Sequence, residues 1–207
     1  DTWDLLDSYG IRCPVRWVFK QFAPSGTIWD KTTVVPCCAN HDLYELYMGR
    51  AIFCRSAREI NFIGEGSDPI RSRCMDALRS SGLPVTGGVN MPKLDYAAYL
   101  RRALGTQINL NFAGAEFCTR RYWEFTAIGA FMVTQQPTVN QGPHDFMPGQ
   151  HVSHFRTPEE CVEVCRYYLD RPELCAIMAA NAQVHSLQYH SLKARGDQLL
   201  EEIGRLL

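Results

Sequence analysis

The stretch INFIGEGSDPIRSRCMDALRSSGLPVTGG, residues 60–88, decides the fold class. INFIG (60–64) is a compact apolar run ending in Gly, the pattern of a buried strand. Asp68-Pro69 follows, an N-cap residue with a proline at the first helical position. Ile70, Cys74, Ala77 and Leu78 then fall on one face of a helix that Gly82 stops. LPVTGG (83–88) reads as a second strand with a Gly-Gly turn. Strand, helix and strand of these lengths make a crossover unit with parallel strands.

The same alternation continues downstream. Leu94, Tyr96, Ala97, Leu100 and Leu104 mark a helix closed by Gly105, and QINLNF (107–112) is a third strand. Thr119 is placed to cap a helix over RRYWEFTAIG, stopped by Gly129, and AFMVT (130–134) is a fourth strand. Residues 136–150 read as a Pro/Gly loop and HVSHF (151–155) as a last short strand. Thr157-Pro158-Glu159-Glu160 is a capping signal, Pro172 restarts a helix, and a final helix runs from about Ser191 to Leu207. The expected fold is α/β: a Rossmann-like parallel sheet flanked by helices, with short apolar strands covered on both faces. Residues 1–59 differ. RWVF (16–19) and TTVVPC (32–37) are strand candidates, too few for a full domain, so the segment reads as a short N-terminal remnant.

Composition narrows the class. In 207 residues, 46% hydrophobic and 21% charged describe an ordinary globular chain and exclude disorder, collagen and a simple coiled coil. Lys plus Arg number 21 against 22 Asp plus Glu, a balance with no global pull toward nucleic acid or an anionic membrane. No run approaches the roughly 18–20 apolar residues of a transmembrane segment. The start, DTWDLLDSYG, lacks a signal peptide and an initiator Met, so the chain is expected to be processed or part of something longer. Nine cysteines form no CxxC and no zinc-finger spacing. Cys161 and Cys165, i,i+4 on a helix, read as core thiols, and reduced thiols fit a cytoplasmic location.

AGAEFCTRRYWEFTAIGAFMVTQ (113–135) carries the chemistry. Seven residues separate Glu116 from Glu124, and Arg120 and Arg121 open the predicted helix. A helix N-terminus with arginines suits a phosphate, and a carboxylate one turn on suits sugar hydroxyls. Two Arg and two Glu at a helix start are otherwise a solvated face.

This segment resembles the C-terminal, donor-binding half of GT-B-fold glycosyltransferases. Many retaining members carry Glu, seven residues, a second Glu, a small-residue helix ending in Gly, and an apolar strand. Glu116, Glu124, Ala127, Gly129 and Val133 match that layout. DFMPGQHVSHFRTPEECVEVCRYYLDRPELCAIMAANAQ (145–183) is similar to the family's loop, Pro-Gly, short strand and paired helices. RYWE (121–124) and residues 58–82 are most similar to the spore-maturation, CgeB-type branch, where a strand ending in Gly precedes an Arg-bearing helix. The likeness spans about residues 32–207. It departs where Phe117, Cys118 and Thr119 replace a glycine after Glu116, and where Gln150 and His151 follow Pro-Gly in place of an acid.

The resemblance implies transfer of a sugar from a nucleotide-sugar donor to an unknown acceptor. It implies no metal and no cofactor, because cationic side chains offset the leaving diphosphate. Glu116 is then the catalytic candidate at the donor sugar. Arg121 and Arg120 belong near the diphosphate, Glu124 at the ribose, Gly64 and Gly129 at close backbone approaches, and Pro148 and Gly149 beside the donor. Residues 1–45 would be the N-terminal remnant and interdomain linker, and 46–207 the nucleotide-sugar-binding domain. A missing N-terminal half or partner chain would supply the acceptor side. The alternatives are a non-catalytic nucleotide-sugar-binding or assembly module, and another Rossmann-like enzyme such as a dehydrogenase. Gly64-Glu65-Gly66 lacks the third glycine of a dinucleotide fingerprint, which disfavours the latter. Gly87-Gly88 and the His144-Asp145 and His41-Asp42 pairs are weaker candidates, and Trp123 reads as core.

Overall fold

The structure is a computed structural model that describes residues 18–20, 23–24, 32–34, 38–48, 57–66, 68–112, 119–140 and 144–206. Its centre is a five-stranded sheet built from β4 (Ala57–Gly64), β5 (Val85–Val89), β6 (Thr106–Asn111), β7 (Met132–Gln135) and β9 (Ser153–Phe155). The spatial order is β5-β4-β6-β7-β9 and every pairing is parallel. Short strands β1 (Val18–Lys20) and β3 (Thr32–Val34) pair with each other in parallel. β2 (Ala23–Pro24) pairs antiparallel with β8 (Val139–Asn140), which ties the N-terminal segment to the loop after β7. The remainder of residues 1–37 lies outside the described residues.

Two helical layers cover the sheet, as parallel strands with crossovers require. α2 (Pro69–Ser80) and α5 (Pro158–Leu169) cover one face. α1 (His41–Tyr47), α3 (Tyr96–Leu104) and α4 (Arg121–Ile128) cover the other. α6 (Pro172–His190) contributes to both cores, and α7 (Leu192–Leu206) closes the chain against it.

The helix starts follow the capping signals. Asp68 accepts from the Ile70 amide, with Pro69 next, and Thr157 accepts from the Glu160 amide, with Pro158 next. Thr119 is the exception. Its hydroxyl donates to Asn111 Oδ1 at 2.5 Å, and α4 begins at Arg121 without a side-chain cap. A buried acceptor at the end of β6 outcompetes the helix terminus for that hydroxyl.

β6 departs from the apolar reading in one respect. Ile108, Leu110 and Phe112 enter the first core, and on the other face stand Asn109 and Asn111, both buried. Their amides span the sheet. Asn61 Nδ2 donates to Asn109 Oδ1 (3.1 Å), Asn109 Nδ2 to Ala103 O (2.9 Å), and Asn111 Nδ2 to Thr134 Oγ1 (3.0 Å). Buried amides need such partners, so this ladder fixes α3 and the start of α4 relative to the sheet. The core thiols are as expected: Cys74, Cys161, Cys165 and Cys175 are free and buried. Gly87-Gly88 is a packing feature, since a Cβ on Gly87 would meet Phe62 O at 2.1 Å. Only glycine lets β5 approach β4 so closely there.

Candidate functional site: a cationic cleft at the sheet's carboxyl edge

β4 lies at the point where the strand order reverses. The chain leaves β4 toward β5, then returns across it to β6. Adjacent loops diverge there and leave a crevice at the carboxyl ends of β4 and β6, the usual ligand position in such sheets. The cleft found there measures about 620 Å³. Its floor is Ile63 and Gly64, and its walls come from the β5–α3 loop, from α3, and from the turn into α4.

Four cations line it, Arg71, Lys93, Arg120 and Arg121, against two carboxylates, Glu65 and Glu124. Lys93 pairs with Glu65 at 3.1 Å, but both side chains are exposed and the pair contributes little. Arg121 lies over the Phe62 ring, 5.0 Å from its centroid. Its guanidinium crosses Gly64, where a Cβ would come within 2.9 Å of Nη2. Arg71 arrives from α2, is buried, and donates to Glu65 O at 2.7 Å. Burial pulls the Arg71 guanidinium below its usual value, and the Arg121 charge adds to that pull. Two arginines from different helices therefore line one cleft, Arg121 over Gly64 and Arg71 at the neighbouring Glu65 carbonyl, an arrangement that an anion relieves.

Glu124 stands one turn into α4, at the other side of Arg121. Tyr96 OH donates to Glu124 Oε1 (3.2 Å) and Tyr99 OH to Oε2 (3.3 Å). Burial first, then the Glu124 charge, pushes both phenols above their usual range, so they remain hydroxyl donors. The backbone of α4 contributes less than expected. The Tyr122 and Trp123 amides donate to Thr119 O and Arg120 O at 3.0 Å, so the tight first turn consumes them. The positive groups open to the cleft are therefore guanidiniums rather than these helix amides.

The structure thus brings together Gly64, Arg120, Arg121 and Glu124, and adds Arg71, Tyr96 and Tyr99, which the sequence reading did not single out. The only signal for Arg71 was its place on the Arg-bearing helix after GEG. Nothing in the spacing marked the tyrosines, because their partner is 25 or more residues away. Glu116 lies outside the described residues. Gly129, Pro148 and Gly149 are not brought to the cleft. Gly129 is the left-handed C-cap of α4 (φ 72°) and precedes β7, at the amino edge of the sheet. Pro148 bridges to Val152 just before β9, so the Pro148-Gly149 turn also lies at that edge. The loop must descend there because β9 runs parallel to β7.

The remaining candidates whose side chains the structure describes are structural. Asp145 accepts from Tyr122 OH (3.0 Å) and from the Phe146 amide (2.7 Å), and burial raises its pKa. His144 O accepts from His185 and His190. Trp123 is core, packed on Tyr122, Phe146 and His190. Asp42 sits in the first turn of α1, whereas the His41 side chain and Cys37 lie outside the described residues. Among the described residues no group of three or more His, Cys, Asp or Glu is placed to hold a metal ion. Among the same residues no helix is long and apolar enough to cross a membrane.

A doubly wound parallel sheet with a cationic cleft at its switch point defines a Rossmann-like α/β domain. The chain belongs to the family described as glycosyl transferase-like, which matches residues 50–201. No curated protein matches the sequence. Among solved structures it is similar to Anabaena HepE, crystallised in complex with UDP and glucose. That likeness has a TM-score of 0.67 at 12% identity over 92% of this chain and 63% of that one. It is also similar to sucrose-phosphate synthase from Thermosynechococcus elongatus (TM-score 0.54, 9% identity, 85% of this chain and 53% of that one). A glycosyltransferase from Rickettsia africae is a further match (TM-score 0.54, 11% identity, 86% and 57%). These likenesses establish the fold, a GT-B half-domain. The chain spans less than two thirds of the length of each.

Proposed function

We propose that this chain is the donor-binding part of a glycosyltransferase that moves a sugar from a nucleoside diphosphate to an acceptor hydroxyl. The observation that carries the reading is that Arg71, at the Glu65 carbonyl, and Arg121, over Gly64, line one cleft with Glu124 one turn away. The guanidiniums would hold the diphosphate, Arg120 and Lys93 would add positive charge at the rim, and Glu124 would accept from the ribose hydroxyls. Glu116, shortly before Thr119 in the chain, would face the donor sugar, as the resemblance assigns it. In the transfer the bond from the anomeric carbon to the diphosphate oxygen breaks, a bond to the acceptor oxygen forms, and the acceptor's proton leaves. Negative charge then grows on the departing diphosphate, where the two arginines stand, so the reading calls for no metal and no cofactor. The HepE structures with UDP and with UDP-glucose support a nucleotide-sugar partner.

Residues 1–45 would be the remnant and linker and 46–207 the binding unit, the linker's end packing on that unit through α1 (Leu43 and Tyr44). The acceptor side comes from a further segment or partner chain. Buried free thiols at Cys74, Cys161, Cys165 and Cys175 support a cytoplasmic location.

A thermal-shift panel of UDP-, GDP-, ADP- and TDP-sugars tests the reading. A donor at 100 times its Kd stabilises by about 2.7 kcal/mol, equivalent to roughly 5–11 °C in a chain of this size. Glu124→Gln and Arg121→Ala should each weaken the binding nucleotide roughly 10–150-fold, the loss of one charge-assisted hydrogen bond. Unaltered affinity in both variants sinks the assignment. Binding without turnover, even with acceptor extracts and the N-terminal half supplied, would favour a non-catalytic module.

A further inference from the structure

The Glu124 carboxylate already receives two hydroxyl donors, one on each oxygen, from Tyr96 and Tyr99. The tyrosines sit three residues apart on one face of α3, whose start is pinned by Asp95 accepting from the Ala98 amide at 2.8 Å. Two O–H groups spread over the two oxygens of one carboxylate reproduce what a vicinal ribose diol presents. The two phenols are not equivalent. Tyr96 is 52% exposed and borders solvent at the cleft rim. Tyr99 is half-buried, its ring 5.7 Å from Phe125 on α4.

We propose that Tyr99 is a positioning residue that sets the Glu124 carboxylate for a ribose 2′,3′-diol, and that the Tyr96 hydroxyl is a placeholder the diol displaces. The inference rests on the donor-cleft reading above. A carboxylate offers about four lone-pair positions, so each oxygen keeps acceptor capacity after taking one phenol. Tyr99 fixes the rotation of the carboxylate and stays, because its ring is half-buried against Phe125. Tyr96 can swing outward and recover its hydrogen bond from water. The exchange trades one hydroxyl donor for another, which makes it nearly neutral in energy. Of the charged groups beside these residues, Arg121 faces Gly64 and Phe62, and Arg120, at the start of α4, lies near Tyr96.

Calorimetric titration of UDP and GDP, each with its 2′-deoxy counterpart, tests this on the full chain. The wild type should prefer the ribonucleotide. Tyr99→Phe should weaken the ribonucleotide about tenfold, equivalent to about 1.4 kcal/mol, and shrink the ribose preference toward unity. Tyr96→Phe should keep the preference and tighten the ribonucleotide two- to threefold on the order expected for removing a weak competitor. In a Glu124→Gln background, Tyr99→Phe should cost nothing more, a non-additivity that loss of structure alone does not produce. A Tyr99→Phe variant with the wild-type ribose preference overturns the proposal, as does a Tyr96→Phe loss equal to that of Tyr99→Phe. Absence of nucleotide binding by the wild type, or full affinity in both Glu124→Gln and Arg121→Ala, would instead overturn the donor-cleft reading itself.

Discussion

Replacing Gly64 with Ala should damage the site more than the fold. An added Cβ would lie 2.7 Å from Phe62 Cζ and 2.9 Å and 3.2 Å from the two terminal nitrogens of Arg121. Something must move. The backbone is held, because Gly64 pairs with Val89 and its carbonyl accepts from the Asn90 amide at 2.7 Å. The Phe62 ring is buried and packed edge-on against Phe112 at 4.8 Å. Arg121 is the least constrained neighbour, so it yields and leaves the Phe62 face. Overpacking by one methyl costs about 1–3 kcal/mol, which in a chain of this size lowers Tm by roughly 2–12 °C. Displacement of the guanidinium removes one diphosphate contact, so nucleotide affinity should fall roughly tenfold or more. Thermal melts and calorimetry on the same preparation read both effects. A variant with wild-type Tm and wild-type nucleotide affinity would refute the close packing of Arg121 on Gly64.

Gly196→Ala is the opposite case: the residue lies inside α7, where a Cβ meets nothing within 4 Å. It should stabilise by about 0.5–1 kcal/mol, raise Tm by a few degrees and leave nucleotide binding unchanged; a lower Tm would contradict the helical assignment. His190 predicts acid sensitivity. Its Nε2 donates to His144 O at 2.6 Å and its Nδ1 accepts from the Arg195 guanidinium, so the folded state holds the ring neutral. Burial, then the Arg195 charge, pushes its pKa down to about 2 from 6.5, and His154 shifts the same way to about 4. The unfolded chain therefore binds protons below pH 6.5 that the folded chain refuses. Stability is full above 6.5 and declines as pH falls, by up to about 1.4 kcal/mol per pH unit for His190. Urea melts at pH 7.5 and 5.5 check this, and identical midpoints would refute the neutral, Arg-paired imidazole.

Much of the fold was legible because its signals are local. A strand ending at Gly64, the Asp68-Pro69 cap, the stop at Gly82 and the Thr157-Pro158 start each depend on a few adjacent residues, and each stands where read. Thr119 was misread for the same reason. Its role as a cap is a local rule, whereas its partner, Asn111, belongs to another element. The Asn ladder was hidden within QINLNF, since alternation alone does not say that one face of a buried strand will be polar and satisfied.

The site divided along the same line. Arg120, Arg121 and Glu124 were legible because one helix start carries them all, and a short helix keeps its residues together in any fold. The glycines were not separable in sequence. Gly64 ends a strand at the carboxyl edge, and Gly129 and Gly149 fall at the amino edge, although all three precede or follow strands. By itself the sequence determined the elements, the parallel crossover architecture and the helix that bears the charged triad. Only the tertiary structure decided which edge each loop reaches, and so which residues meet. Strand order sets that: with β4 between β5 and β6, the crevice opens over Gly64, and it gathers Arg71, Tyr96 and Tyr99 from helices that are remote from Glu124 along the chain.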